Sequence, residues 1–440
     1  MPNRHLGSSL FLVCLGPAVA PQPIAKMPVR QSRLAVGRRS TLALCACVFS
    51  CIASSTLRSV LSAAFTSGSA KAAARTPSVA SRAASRASAA PASVGRLGHG
   101  MAPFNTAASP GMKNALQQLR GLSAIVPDEF SLEQYEEFGS SLAFVSSRTI
   151  LEALESESWP RMGDLVEEAQ GNEECAVDWD LEEAPNCFEE SLFVLVGRDL
   201  LAHPGGAFGT VSTELPASAL TSPAAAVASA GRMMAMYRDL GVAADRVLFR
   251  VPANYWGLRA VAALSKAGFA SHVTHVYSLA QAALAKEAGA FAVQVYVGRI
   301  ERTGAGDGIT LARQIYRVLK DGHDDNKKVP LVVAASLSSL EDVSALAGAD
   351  YLLVPPRLLR ELRDSPGGEF VAATPETGIR GPSSDKEEDP PIPSGFLLSF
   401  EEFEAAMPNF AKQLLASGVE RYLQQATALH ELLTRAKEYM

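Results

Sequence analysis

Aspartate and glutamate are wholly missing from the first 127 residues of this 440-residue chain, which nonetheless carry 14 lysines and arginines. All 46 acids and the other 26 of the 40 bases therefore fall in residues 128–440, whose net charge is −20. A body so short of positive charge excludes non-specific nucleic-acid binding, which needs a basic face to neutralise phosphates. Cysteine is scarce as well, at six residues. Cys14, Cys45, Cys47 and Cys51 fall in the acid-free stretch, and no C-x-x-C or Cys/His spacing of a zinc site occurs. Cys175 and Cys187 read as two free thiols in one acidic segment, with a disulfide as the alternative. Long apolar runs are missing too: those at residues 9–20 and 41–52 are too short to span a bilayer comfortably. With 48% apolar and 20% charged residues, a wholly disordered chain is excluded. The length suits two or three ordinary domains or one large barrel with appendages.

Residues 1–112 read as an organelle-targeting leader of low complexity, cleaved or disordered, and are set aside from the fold. Arg38 and Arg39 precede the second apolar run in the manner of a signal n-region, and residues 66–100 are rich in Ser, Ala and Arg. That order resembles the bipartite leaders of algae with complex plastids. It implies a plastid-stroma address, with a mitochondrial presequence as the alternative, and no membrane partner for the mature form.

From residue 120 onward short β-branched runs alternate with longer amphipathic stretches. The spacing predicts strands at 122–126, 142–146, 208–214, 246–251, 271–276, 291–298, 329–336 and 351–354. Helical periodicity falls between them, as at 224–240, 257–267, 279–288, 309–320 and 339–347. Strict alternation of this kind predicts an α/β fold, a single-domain (β/α)8 barrel over 113–440, with chemistry at the C-terminal ends of the strands.

Two segments interrupt the rhythm. Residues 152–190 hold 14 acids and one base, Arg161, and read as a solvated helix and loop; an acidic docking patch for a protein partner is the alternative. Residues 364–395, rich in Pro, Gly and charge, read as a flexible loop. Beyond it, residues 396–440 read as terminal helices with Leu414, Val419, Tyr422, Leu423 and Leu429 on the apolar side.

Several motifs in order carry a family resemblance: Val211-Ser-Thr-Glu214, Arg246-Val-Leu-Phe-Arg250, Gly257-Leu-Arg-Ala260, Ser278-Leu-Ala-Gln-Ala282, Val297-Gly-Arg-Ile300, Ala335-Ser336 and Ala345-Leu-Ala-Gly-Ala-Asp350. Over roughly residues 113–440 the chain resembles transaldolase. The resemblance implies a class I aldolase-type barrel that transfers a dihydroxyacetone unit between sugar phosphates, a transferase of the pentose phosphate pathway. It implies a lysine Schiff base, proton-shuttling carboxylates, no cofactor and no metal. Residue by residue, the family's acid/base aspartate falls on Asp128 and its Ser-Thr-Glu glutamate on Glu214. The strand-five threonine falls on Thr274 and the phosphate-binding arginine on Arg299, with Ser336 beside it.

Other positions depart. Arg250 stands where the family has its Schiff-base lysine. Ser146 replaces the asparagine that orients the dihydroxyacetone unit, His272 another asparagine, Gln294 a serine, and Ser338 the second phosphate arginine. Lysine serves because a desolvated amine can lose its proton and attack a carbonyl, whereas a guanidinium stays protonated. Lys266 and Lys286 fall in predicted helices, and Lys327 and Lys328 precede the seventh strand, so none stands at a strand's catalytic end. His272 and His275, three apart on a strand, point to opposite faces and make no metal pair. Asp128 and Glu214 read either as counter-charges for Arg250 or as remaining proton-transfer groups. Arg299, following a strand end through Gly298, reads as a phosphate anchor to which the glycine backbone approaches closely. The resulting expectation is a plastid transaldolase-like pseudoenzyme that binds a sugar phosphate. An active transaldolase with altered residues and a structural or regulatory subunit are the alternatives.

Overall fold

A computed structural model describes residues 114–129, 131–156, 159–172, 184–203, 208–320, 329–366, 378–380 and 399–438. The leader expected at 1–112, Cys175, Trp179, Lys327, Lys328 and most of the loop expected at 364–395 lie outside the described residues.

Eight strands, β1 (Ala124–Pro127), β2 (Leu142–Val145), β3 (Thr210–Glu214), β4 (Val247–Pro252), β5 (Ser271–Val276), β6 (Ala292–Tyr296), β7 (Leu331–Ala335) and β8 (Tyr351–Val354), are joined through helices. They run parallel in the order β1-β8-β7-β6-β5-β4-β3-β2, a nearly closed (β/α)8 barrel. The strands form where β-branched and aromatic residues cluster, because these pack well on both covered faces of a parallel sheet. Helices begin where a polar side chain can take up a free N–H. Asn254 accepts from Gly257 N at 2.6 Å, and Ser339 with Asp342 forms a reciprocal cap.

Alternation along the strands sorts the two faces. Thr213 Oγ1 meets Tyr237 Oη at 2.6 Å on the outer helix Pro223–Asp239, so β3 turns that residue outward. Its neighbour Ser212 meets His272 Nδ1 at 2.9 Å. Because β4 lies between β3 and β5, only side chains inside the barrel can touch in this way. Register then aligns Glu214 with Arg250 and Arg250 with His272, placing a polar belt within an otherwise aliphatic core.

The last helix, Asn409–Glu438, crosses the C-terminal ends of the strands. Tyr422 Oη donates to Leu215 O at 2.8 Å, and a methyl group on Gly418 would lie 2.5 Å from His275 Cδ2. Leu423, expected on the apolar side, is 47% exposed, because successive helical residues diverge by about 100° and Tyr422 takes the inward position.

The acidic run also departs from expectation. The helix Ala184–Ala202 turns Glu189 and Glu190, at 3% and 0% exposure, into the protein. Glu190 is held by Arg232, from Nε at 2.8 Å and from the terminal amino group at 2.6 Å, and by Ser229 Oγ at 2.6 Å. A buried charge is tolerated when its lone pairs are filled in this manner. Cys187, read as a free thiol, is disulfide-bonded.

Candidate active site

The polar belt opens at the C-terminal ends of the strands, where the sequence places its candidate residues. Asp128 follows β1 directly, its N–H bonded to Val354 O at 3.0 Å. The residue is exposed at the strand end, yet protein crowds its carboxyl. Loss of bulk water pushes it above the usual carboxylate range, against the pull of Arg148, Arg299, the Ser336 N–H and Arg250. Glu214 ends β3 and is buried. Burial raises its carboxyl as well, opposed by Ser147 and Arg250. One of its oxygens accepts from Ser147 N at 3.1 Å and Ser147 Oγ at 2.8 Å.

Arg250 is half-buried inside the barrel, its guanidinium 4.8 Å from the Phe144 ring centroid. It forms no direct ion pair with Asp128 or Glu214, although its charge draws both carboxyls downward. The reason is Ser147: its two donors hold Glu214 toward the helix Ser147–Ser156 rather than across the strand pair.

Thr274 is buried next to His275, with Oγ1 to Nδ1 at 3.1 Å. Ser146 is occupied as a cap, its N–H donating to Thr149 Oγ1 at 2.8 Å and its Oγ accepting from Thr149 N at 3.2 Å. Gln294 is buried with Oε1 unpartnered, as is His272 Nε2. Burial and Arg250 keep His272 neutral by lowering it well below the usual histidine range. Burial, Arg299, Arg250 and Arg421 push His275 down to about 3. The strand is irregular between the two histidines: the register shifts between Val273 and Val276, and His275 has φ of 58°. Its ring lies tilted against Tyr296 at 5.4 Å and edge-on to Tyr277 at 6.4 Å.

Arg299 is carried by the short helix Val297–Glu301, so β6 stops at Tyr296, short of the expected residue 298. Its guanidinium lies 4.3 Å from the Tyr296 centroid and donates to Tyr277 Oη at 3.2 Å. Three residues on, Arg302 donates to Ser336 Oγ at 3.1 Å. Ser336 has φ of 65°, a left-handed conformation that costs a non-glycine residue about 1 kcal/mol or more. Ser338 bonds to Asp342 at 2.9 Å and its carbonyl accepts from Arg357.

Gly298 has a role other than the expected one. A methyl there would lie 2.2 Å from Ser336 O, so the missing side chain admits the β7 loop, not an anion. Gly298→Ala should therefore lower stability by roughly 1–3 kcal/mol, the usual penalty of overpacking, and displace Arg299 with it. A thermal melt checks this, and an unchanged midpoint would show that the Ser336 carbonyl gives way freely.

Several neighbours escaped the sequence reading. Arg302 was signalled by its i+3 spacing from Arg299. Glu189, hidden in a charge run, lies within electrostatic reach of Glu214 and Tyr422. Lys266 and Lys286 lie on outer helices, and Lys286 Nζ donates to Val318 O at 2.6 Å.

Residues 160–433, more than half of the chain, match the family model described as Transaldolase/Fructose-6-phosphate aldolase. A transaldolase of Alteromonas mediterranea is 26% identical over 342 residues, spanning 73% of this chain and 98% of that protein. One of Methylobacillus flagellatus is 27% identical over 333 residues, spanning 73% and 99%. One of Vibrio campbellii is 29% identical over 271 residues, spanning 58% and 81%. The barrel topology and this continuous match lead to one conclusion: the chain belongs to the transaldolase/fructose-6-phosphate aldolase family.

Proposed function

We propose that the chain binds a sugar phosphate at the barrel mouth and has lost the Schiff-base step, as a transaldolase-like protein of plastid pentose phosphate metabolism. The observation that carries this reading is Arg250. It occupies an interior register position between Glu214 and His272, where a nucleophilic amine would be needed, and a guanidinium cannot supply one. Binding is supported by Arg299, which packs over Tyr296 and is steadied by Tyr277 at the rim. Such a pre-set guanidinium suits bidentate contact with phosphate. The plastid address rests on the composition of residues 1–112.

Calorimetry with fructose 6-phosphate tests the binding. A charge-assisted contact contributes about 1.5–3 kcal/mol, so Arg299→Ala should weaken affinity by roughly 10- to 150-fold. Equal affinity in the two proteins, or no heat in either, would remove the phosphate-anchor role and leave a structural or regulatory subunit.

A further inference from the structure

We propose that the barrel interior holds a second anion site centred on Arg250, so that the ligand is an open-chain sugar phosphate with a further oxyanion, phosphate or carboxylate, at its other end. This rests on the sugar-phosphate reading of Arg299 and adds the opposite pole to it.

Three observations carry the inference. First, Arg250 makes neither an ion pair nor a side-chain hydrogen bond with any described residue; its one specific contact is the face of Phe144. A half-buried guanidinium presents five N–H donors, and enclosing it without an anion is unfavourable. Its register neighbour Glu214 is already committed to Ser147. Second, two buried polar atoms beside it have no partner, His272 Nε2 and Gln294 Oε1. His272 is paired in register with Arg250, and Gln294 lies two positions above Ala292, the β6 partner of His272. An amide oxygen can only accept, so Gln294 calls for a hydroxyl donor, which a polyol carries.

Third, Arg250 and Arg299 stand at the same end of the barrel, the first in the C-terminal half of β4 and the second on the short helix that follows β6. Arg250 lies two residues below the end of β4, and Arg299 three residues beyond the end of β6. From floor to rim the order is therefore Arg250 level with His272, then Gln294, then Arg299. An extended molecule with hydroxyls between two oxyanions satisfies all of these groups at once.

Titration of the full chain with fructose 6-phosphate, fructose 1,6-bisphosphate and 6-phosphogluconate tests the second pole. At least one of the two doubly anionic probes should bind about tenfold or more tightly than fructose 6-phosphate, and which one does so separates phosphate from carboxylate. Arg250→Gln, with Arg250→Met as a second variant, should erase that advantage, bringing the doubly anionic probes to the affinity that fructose 6-phosphate shows for the same variant. Melting curves establish that the variants fold, and the comparison of probes on the unmodified chain decides the matter even where they do not. Equal affinity for the three probes, or an advantage that survives both substitutions, would overturn the second pole and leave the Arg299 site standing. No binding of any probe would overturn both.

Discussion

Borohydride added to the chain together with fructose 6-phosphate will leave its mass unchanged, and a coupled sugar-phosphate assay will show turnover lower by roughly three orders of magnitude or more than that of an active family member. An imine forms only when a neutral amine attacks a carbonyl, and the guanidinium of Arg250 neither sheds its proton nor offers a nucleophilic lone pair under ordinary conditions. Removing a covalent nucleophile is not made good by binding alone, because the remaining contacts hold substrate without opening the low-barrier route. Arg250→Lys by itself should restore little. Ser146 is engaged with Thr149, His272 with Ser212 and Ser338 with Asp342, so a new amine would meet a site whose other polar groups are already committed. A trapped adduct on the unmodified chain would show that another amine reaches the site and would end the impaired-enzyme reading.

Glu189→Gln will stabilise the protein increasingly as pH rises, the gap in melting temperature widening in the variant's favour between pH 5 and pH 9. The carboxyl of Glu189 is buried with one oxygen unpartnered. Burial, Glu214 and Glu190 push it up to about 8 from the ordinary 4.5. A carboxyl whose folded value is raised binds its proton more tightly in the folded than in the unfolded chain. Its contribution is fully present below pH 4.5 and is lost as pH climbs toward about 8. The loss amounts to roughly 3–5 kcal/mol across that window, since each unit of difference corresponds to about 1.4 kcal/mol. Glutamine imitates the neutral acid and does not titrate, so the variant escapes the loss. Thermal melts of both proteins at three or more pH values check it. A constant gap, or one that narrows toward alkaline pH, would mean that Glu189 is ionised throughout and stabilised by a neighbour.

The positions of the strands were legible in the sequence, because β-branched runs near 142–146, 271–276 and 351–354 declare themselves through composition and period. The ends were less so. Val297 and Gly298 continue the apolar run of β6, yet they form the first turn of a helix once Ser336 O occupies the space beside Gly298. That oxygen comes from a residue 38 positions later, and no local pattern carries such information.

What the sequence by itself determined is covalent: the absence of an amine at position 250, the absence of acids from the first 127 residues, and the alternation that makes a barrel the natural way to bury eight β-branched strands. These depend on side-chain chemistry and on short-range periodicity, which the chain carries before it folds. Which charges are paired was decided by tertiary structure alone. Glu189 and Glu190 look alike within one acidic run, but packing gives Glu190 to Arg232 and Ser229 and leaves Glu189 buried with one oxygen unpartnered. Glu214 and Arg250 are neighbours in register, yet Ser147 takes the carboxylate and leaves the guanidinium over Phe144. Coulomb energy in a buried site depends on distance and local dielectric, and both exist only after helices and strands distant in sequence have closed around the charge.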